Sequence, residues 1–328
     1  MRRSFILLAS ILLFISCKND EKSEPNKRIL SDSSGNINQL TVVIDNNLWE
    51  GKIGEAIREK LAAPVDGLPQ DEPLFTLSQI PPETFTGFVR NSRIFLKVEQ
   101  ADSSGVKIIK DEYSRPQTGI VLMGSSENAI IKLVDQRSEE IIDLFKQAEL
   151  KEKQRRIGKS LKKDNDLEDR FGISMKFPTA YRYAKESDDF VWIRKEIPKG
   201  NMEILVYEVP MNQIENDSSV ISNITRMRDS IGEAEIPGPV EGSYMITEKA
   251  YAPYLFETKI DGKFAYETRG TWEVKNAFMA GPFVNYAIKD EKNNRYVIVE
   301  GFVFSPSRAK RDNVFELDAI LRSVKFEG

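Results

Sequence analysis

Any chemistry in this chain has to be done without histidine and with one cysteine, Cys17. Histidine is the commonest general base and metal ligand. Without it no Ser–His–Asp or Cys–His nucleophile can be assembled, and no HExxH zinc site. Carboxylate, lysine, tyrosine and Ser–Lys chemistry remain. The pairs Glu257/Glu267 and Asp71/Glu72 have the residue types for glycoside hydrolysis, which needs two acids ~5–10 Å apart across a bond. With 51 acidic residues in the chain, such pairs arise by chance. Gly51 and Gly54 around Lys52 lack the GxxxxGK[ST] spacing of a phosphate loop and fall inside a helical pattern. Ser160 near Lys162 has no supporting motif. Asp45, at a strand end before a helix, reads as a cap rather than a functional acid. No residue is assigned a catalytic, metal-binding or cofactor-binding role.

The most suggestive residues are aromatic. Tyr244, Tyr251, Tyr254, Phe256, Phe264, Tyr266, Trp272 and Tyr286 crowd one region of the second half. Asp261-Gly262 between two β-rich runs signals a hairpin, which pairs Phe256 with Glu267 and Glu257 with Tyr266. Neither face of that hairpin is cleanly apolar. Aromatic rings beside carboxylates on a sheet form a platform for a sugar or a peptide, with Tyr251, Tyr254, Tyr266, Trp272 and Tyr286 as the binding residues. The ordinary alternative is a sheet packing one face on helices with tyrosines at its rim, because aromatic residues are common strand formers.

The chain starts with Arg2 and Arg3, an apolar run from Phe5 to Ile15, the small residue Ser16 and then Cys17. That is the pattern of a secretory signal, and the run is too short for a transmembrane helix. A cysteine directly after the small residue resembles the bacterial lipoprotein lipobox, here Phe14-Ile15-Ser16-Cys17, with Phe14 where an aliphatic residue is usual. The resemblance implies that Cys17 becomes the lipidated first residue of the mature protein and that a membrane is its first partner. The following Lys18-Asn19-Asp20-Glu21 resembles the export signals of surface lipoproteins in Bacteroidota. Location is then the outer membrane, with the periplasmic face and the cell surface both open.

Composition narrows the class further. The net charge of −4 becomes more negative when Arg2 and Arg3 leave with the signal, so there is no footprint for nucleic acid. With 328 residues and 40% hydrophobic composition the chain can build two cores. A single cysteine rules out an intrachain disulfide, so stability must come from packing.

Periodicity divides the chain into a signal peptide (1–16), a polar tether (17–38), and two domains, 39–163 and 164–328. Leu40–Ile44 reads as a buried strand, and Trp49, Ile53, Ala56/Ile57 and Leu61 follow at helical spacing. Arg93–Gln100, Val106–Tyr113 and Thr118–Met123 read as three antiparallel strands. A long helix opens near Glu127 with a stripe of Ile130, Val134, Ile141, Leu144/Phe145 and Ala148. It runs into the basic segment Lys151–Arg156, which suits a solvated helix end at the negative pole of the macrodipole; the sharper reading is a patch for anionic polymer or lipid. The second half restarts with long strands, a helix capped near Asn216–Ser218, further strands, and a last helix carrying Val314, Leu317 and Ile320/Leu321. Long strands without regular βαβ alternation give an α+β class, each domain a mainly antiparallel sheet packed with helices.

The stretches LTVVIDNNLWEGKIG (Leu40–Gly54), LPQDEPLF (Leu68–Phe75), NSRIF (Asn91–Phe95) and YSRPQ (Tyr113–Gln117) resemble a Bacteroidota lipoprotein family known as domain of unknown function 4837. That resemblance implies lipidation and an envelope location, and no activity. The second half, from GISMKFP to the closing helix and RSVKF, is similar in order to PsbP/Mog1-like domains, which implies partner binding or assembly. The resulting expectation is a lipid-anchored envelope protein with a non-catalytic binding or assembly role and an envelope protein partner. A surface glycan-binding lipoprotein is the first alternative, and a carboxylate-dependent envelope hydrolase the second.

Overall fold

The computed structural model describes residues 29–215 and 219–327. The signal segment, Cys17, most of the expected tether and the expected cap at Asn216–Ser218 lie outside them. Residues Ser31–Gly328 make up one compact unit.

The first half is built on QLTVV, β1 (Gln39–Val43), buried along nearly its whole length. A strand buried on both faces sits inside a sheet, and β1 lies between β2 (Thr76–Ile80) and β3 (Ile94–Gln100), parallel to both. The helical pattern after β1 is broken at Gly51 into Asn46–Glu50 and α1 (Lys52–Leu61). A Cβ on Gly54 would meet the Trp49 carbonyl oxygen at 1.9 Å, so glycine is what lets the two pieces abut. Asp45 stands at the cap position, but its side chain makes no capping bond.

The antiparallel expectation for the next strands is corrected. β4 (Gly105–Lys110) and β5 (Thr118–Gly124) are antiparallel, but β5 inserts between β4 and β3 and runs parallel to β3. The reason is burial. TGIVLMG is apolar toward both faces and takes an inner position, while GVKIIK, half exposed, takes the edge. The sheet order is β2-β1-β3-β5-β4, with three of its four pairings parallel.

The long helix α2 (Glu127–Ile157) has 31 residues and is about 46 Å long. Ser126 caps it, accepting the Ala129 N–H at 3.3 Å. Ile130, Val134, Ile141 and Phe145 pack on the first sheet with β1, β3, β5 and α1. Farther along, the same buried stripe carries Glu149 and Glu152. Glu149 is matched by buried Arg93 at 2.6 Å and by the Asn38 N–H at 2.6 Å. Ser31–Asp32 pairs with Ser114–Arg115, and Asn38 is buried, so residues 31–38 are held to the fold and are not tether. The basic helix end is ion-paired: Arg155 and Arg156 both reach Glu152 at 2.7 Å, and Lys153 reaches Glu316.

The second half is an eight-stranded antiparallel sheet made of β6 (Arg182–Glu186), β7 (Phe190–Ile197), β8 (Gly200–Pro210), β9 (Met245–Thr247), β10 (Tyr254–Ile260), β11 (Lys263–Val274), β12 (Ala280–Asp290) and β13 (Arg295–Phe304). The order is β9-β11-β12-β13-β8-β7-β6, with β10 also pairing on β11. The hairpin turns at Asp261 and Gly262, both at positive φ, and brings Phe256 opposite Glu267 and Glu257 opposite Tyr266, as the sequence pairing predicts. Helix α3 (Val220–Glu235) covers one face through Ile224 and Met227. Helix α4 (Arg311–Leu321) covers the other through Val314, Leu317 and Ile320, joined there by Ile157 from the end of α2. The α+β class, with helices packed on sheets in both halves, is as expected.

Candidate functional site

A cleft of about 650 Å³ opens where α2, the loop after α1, the β10–β11 hairpin and α4 meet. Its walls include Asp66, Leu74, Lys146, Leu150, Phe256 and Phe315. Its floor is ionic and follows from two short-range spacings. Alternation along β11 puts Glu267 and Arg269 on the α4 face, and an i,i+4 step along α4 puts Asp318 and Arg322 above them.

Those four side chains close into a ring. Arg269 donates to Glu267 at 2.5 Å and to Asp318 at 2.6 Å. Arg322 donates to Glu267 at 2.7 Å and to Asp318 at 2.8 Å. From β12, the buried Tyr286 hydroxyl adds a bond to Asp318 at 2.5 Å. Burial opposes the Asp318 charge, but the two guanidinium groups and the tyrosine hydroxyl outweigh it and hold its carboxyl well below the usual range. Burial and the neighbouring carboxylates push the Tyr286 hydroxyl well up. Each carboxylate is bonded to both arginines, so neither is left as an unpaired base.

Lys146 is the exception. Among the described residues its side chain makes no ion pair or hydrogen bond. Lost hydration and the charge of Arg269 lower its ammonium from the ordinary value, against the pull of Asp143, Asp318 and Glu267.

The five aromatic candidates are not gathered into one surface. Tyr251 and Tyr254 are 71% and 49% exposed, on and just before edge strand β10. Phe256, 40% exposed, lies beside Tyr254 with ring centroids 6.4 Å apart and planes 2° apart. In the register these two rings flank Arg269 and Glu267, at the rim of the cleft. Trp272 and the half-buried Tyr266 belong to the α3 face, while Tyr286 is fully buried on the α4 face. Of the carboxylate pairs, Glu72 accepts the N–H groups of Lys310 and Arg311 at the start of α4. Glu257 and Glu267 alternate to opposite faces of the hairpin. Sequence reading passed over Lys146, Arg269, Asp318 and Arg322; the Glu267-x-Arg269 and Asp318-x₃-Arg322 spacings were the visible signal.

Among the described residues there is no group of three or more His, Cys, Asp or Glu side chains placed to hold a metal ion, and no helix long and apolar enough to cross a membrane.

No curated protein matches the sequence. Among solved structures, cyanobacterial PsbP (CyanoP) from Synechocystis is 14% identical with a TM-score of 0.33, covering 51% of this chain and 92% of its own. The Ran-binding protein Mog1p of Saccharomyces cerevisiae is 9% identical with a TM-score of 0.32, covering 48% and 90% respectively. Both likenesses are weak. Residues 33–158 match the family model described as domain of unknown function 8532. That range contains all four stretches on which the resemblance to domain of unknown function 4837 was read, so their assignment is corrected. Residues 160–323, half of the chain, match the latter model itself, and the chain belongs to the family of domain of unknown function 4837.

Proposed function

We propose that this protein is a non-catalytic binding module, held at the cell envelope by a lipid on Cys17, and that the cleft between α2, α4 and the β10–β11 hairpin is where it binds. On this reading the two halves, divided near residue 163, flank the site. The observation that carries it is the closed ring of Glu267, Arg269, Asp318 and Arg322. Hydrolysis by a carboxylate pair needs a carboxylic acid and a free carboxylate, and this floor spends both carboxylates on fixed cations. It is suited to positioning a ligand by shape and hydrogen bonds.

A second reading is favoured by one feature. The exposed Tyr254 and Phe256 rings stand parallel at the cleft rim, an arrangement that suits the apolar face of a sugar; the ligand is then an envelope or surface glycan. Cross-linking in intact cells followed by pull-down, with wild type against Cys17→Ala, tests both. A discrete envelope protein captured only by the wild-type chain supports assembly. Co-purifying glycan without protein supports the second reading, and equal capture by both chains removes the role of the anchor.

A further inference from the structure

On the opposite face of the second sheet, α3 ends at Glu235 and Pro237-Gly238-Pro239 runs on over the strand ends. Between that segment and the sheet lies a slot of about 220 Å³, separate from the cleft, with Trp192, Trp272, Phe302, Phe304, Met245 and Met279 in its lining. Trp272 stands 5.4 Å from Phe302 and 6.3 Å from Phe304, centroid to centroid. One acid belongs to this aromatic lining. Glu203 of β8 is 1% exposed and accepts Trp192 Nε1 at 2.7 Å and Arg194 Nε at 2.8 Å.

Two observations give the slot a sign. Aromatic faces are negative and attract cations, most strongly where water is excluded, and a buried carboxylate does the same. A cation already uses this chemistry: the Arg194 guanidinium lies 5.0 Å from the Trp192 ring centre while it bonds Glu203. That single partner does not compensate the burial, which pushes the Glu203 carboxyl up to about 7 against the pull of Arg194 and Trp192. Arg194 is a rim residue, its side chain 29% exposed on a flexible stem. The slot is roomy enough for a compact head group, and its lining offers no cluster of oxygen ligands for a hard metal ion.

We propose that the slot binds a small organic ammonium ion, seated on the aromatic faces with Glu203 as counter-ion and exchanging with the guanidinium of Arg194. The exchange moves no covalent bond, and the inference stands whether or not the cleft has a ligand.

Of the three tryptophans in the chain, Trp192 and Trp272 line the slot, so intrinsic fluorescence reports on it directly. The full chain is titrated at about pH 8, where Glu203 is ionised, with choline and with its neutral isostere 3,3-dimethyl-1-butanol. A saturable response to choline at least about tenfold tighter than to the alcohol is expected. Arg194→Ala tightens choline binding, and Glu203→Gln weakens it by about tenfold or more while leaving the alcohol unchanged. Equal affinity of the wild-type chain for the two compounds overturns the proposal without reliance on any variant, because the slot is then merely apolar. No saturable choline response in either wild type or Arg194→Ala overturns it as well.

Discussion

Glu72 and Lys310 are 238 positions apart in the chain, yet a carboxylate oxygen of the first accepts the backbone N–H of the second at 2.7 Å. The other oxygen takes the Arg311 N–H at 2.9 Å, so a residue of the first half caps a helix of the second. A carboxylate there satisfies two free N–H groups and complements the helix dipole. Glu72→Ala is expected to cost about 1–2 kcal/mol in urea unfolding, and Glu72→Gln less, since it keeps an acceptor and loses only the charge.

The ionic floor of the cleft should behave as a unit. Asp318→Asn leaves Arg269 and Arg322 short of a counter-charge and should cost about 3–5 kcal/mol, as breaking a buried pair does. Replacing Asp318 and Arg322 together by Leu and Met leaves Glu267 paired with Arg269 and should recover a large part of that loss. A double-mutant cycle on unfolding free energies, with Asp318→Leu and Arg322→Met as its single variants, measures the coupling.

The buried pair under α3 gives a parallel case on the other face. Arg228 reaches Glu300 through two bonds of 2.7 Å, and its guanidinium lies 3.4 Å from the Phe283 ring centre. Arg228→Met alone strands the Glu300 charge and should cost about 3–5 kcal/mol. Adding Glu300→Gln should restore part of it, because a stranded carboxylate costs more than the lost bonds do.

Stability should fall on both sides of mildly acidic pH. The Glu152 carboxyl is brought down to about 2: burial opposes this, and the bonds and charges of Arg155 and Arg156 prevail. Asp318 is depressed as well. Groups with lowered folded-state values stabilise the fold above the ordinary carboxylate range, and that contribution is lost as pH falls toward 2. Glu203 works in the opposite sense. The unfolded chain releases its proton near 4.5 and the folded protein not until about 7, so over that window stability declines as pH rises. Urea melts of wild type and Glu203→Gln at about pH 4 and about pH 8 check this; the variant should gain relative to wild type at the higher pH.

Tyr254→Ala and Phe256→Ala remove rings that are 49% and 40% exposed. Their effect on unfolding should stay within about 0.5 kcal/mol, while capture of glycan in the pull-down should drop. Loss of capture together with a large loss of stability would assign the pair to packing.

The parts of this fold that could be read in the sequence are those set by local chemistry. Asp261-Gly262 determines the hairpin and its register, and the stripe from Ile130 to Phe145 determines the face of α2. Strand neighbours were harder, because the direction of β5 relative to β3 depends on which strand is buried on both sides. That is a property of the assembled sheet, and Thr118–Gly124 shows it only as an unbroken apolar run. The cleft was harder still. Its floor joins an i,i+2 pair on β11 to an i,i+4 pair on α4, and each pair alone looks like ordinary surface charge. The aromatic candidates were separated for a related reason: alternation sends Trp272 and Tyr286 to opposite faces, whatever their closeness in the chain.

Helix α2 serves two cores, its Ile130–Phe145 stretch lying on the first sheet and Ile157 on the second. On the exported reading the chain crosses the membrane with its N-terminus first, so these parts arrive in order. The first sheet and the body of α2 arrive together, but Lys153, Gln154 and Ile157 in the last turns of the helix wait for what the second half supplies: Glu316, the Ala319 carbonyl and the core under α4. A chain in transit therefore carries an unfinished docking edge until that half has crossed. A fragment cut between the two family matches, after residue 158, would carry the same edge permanently.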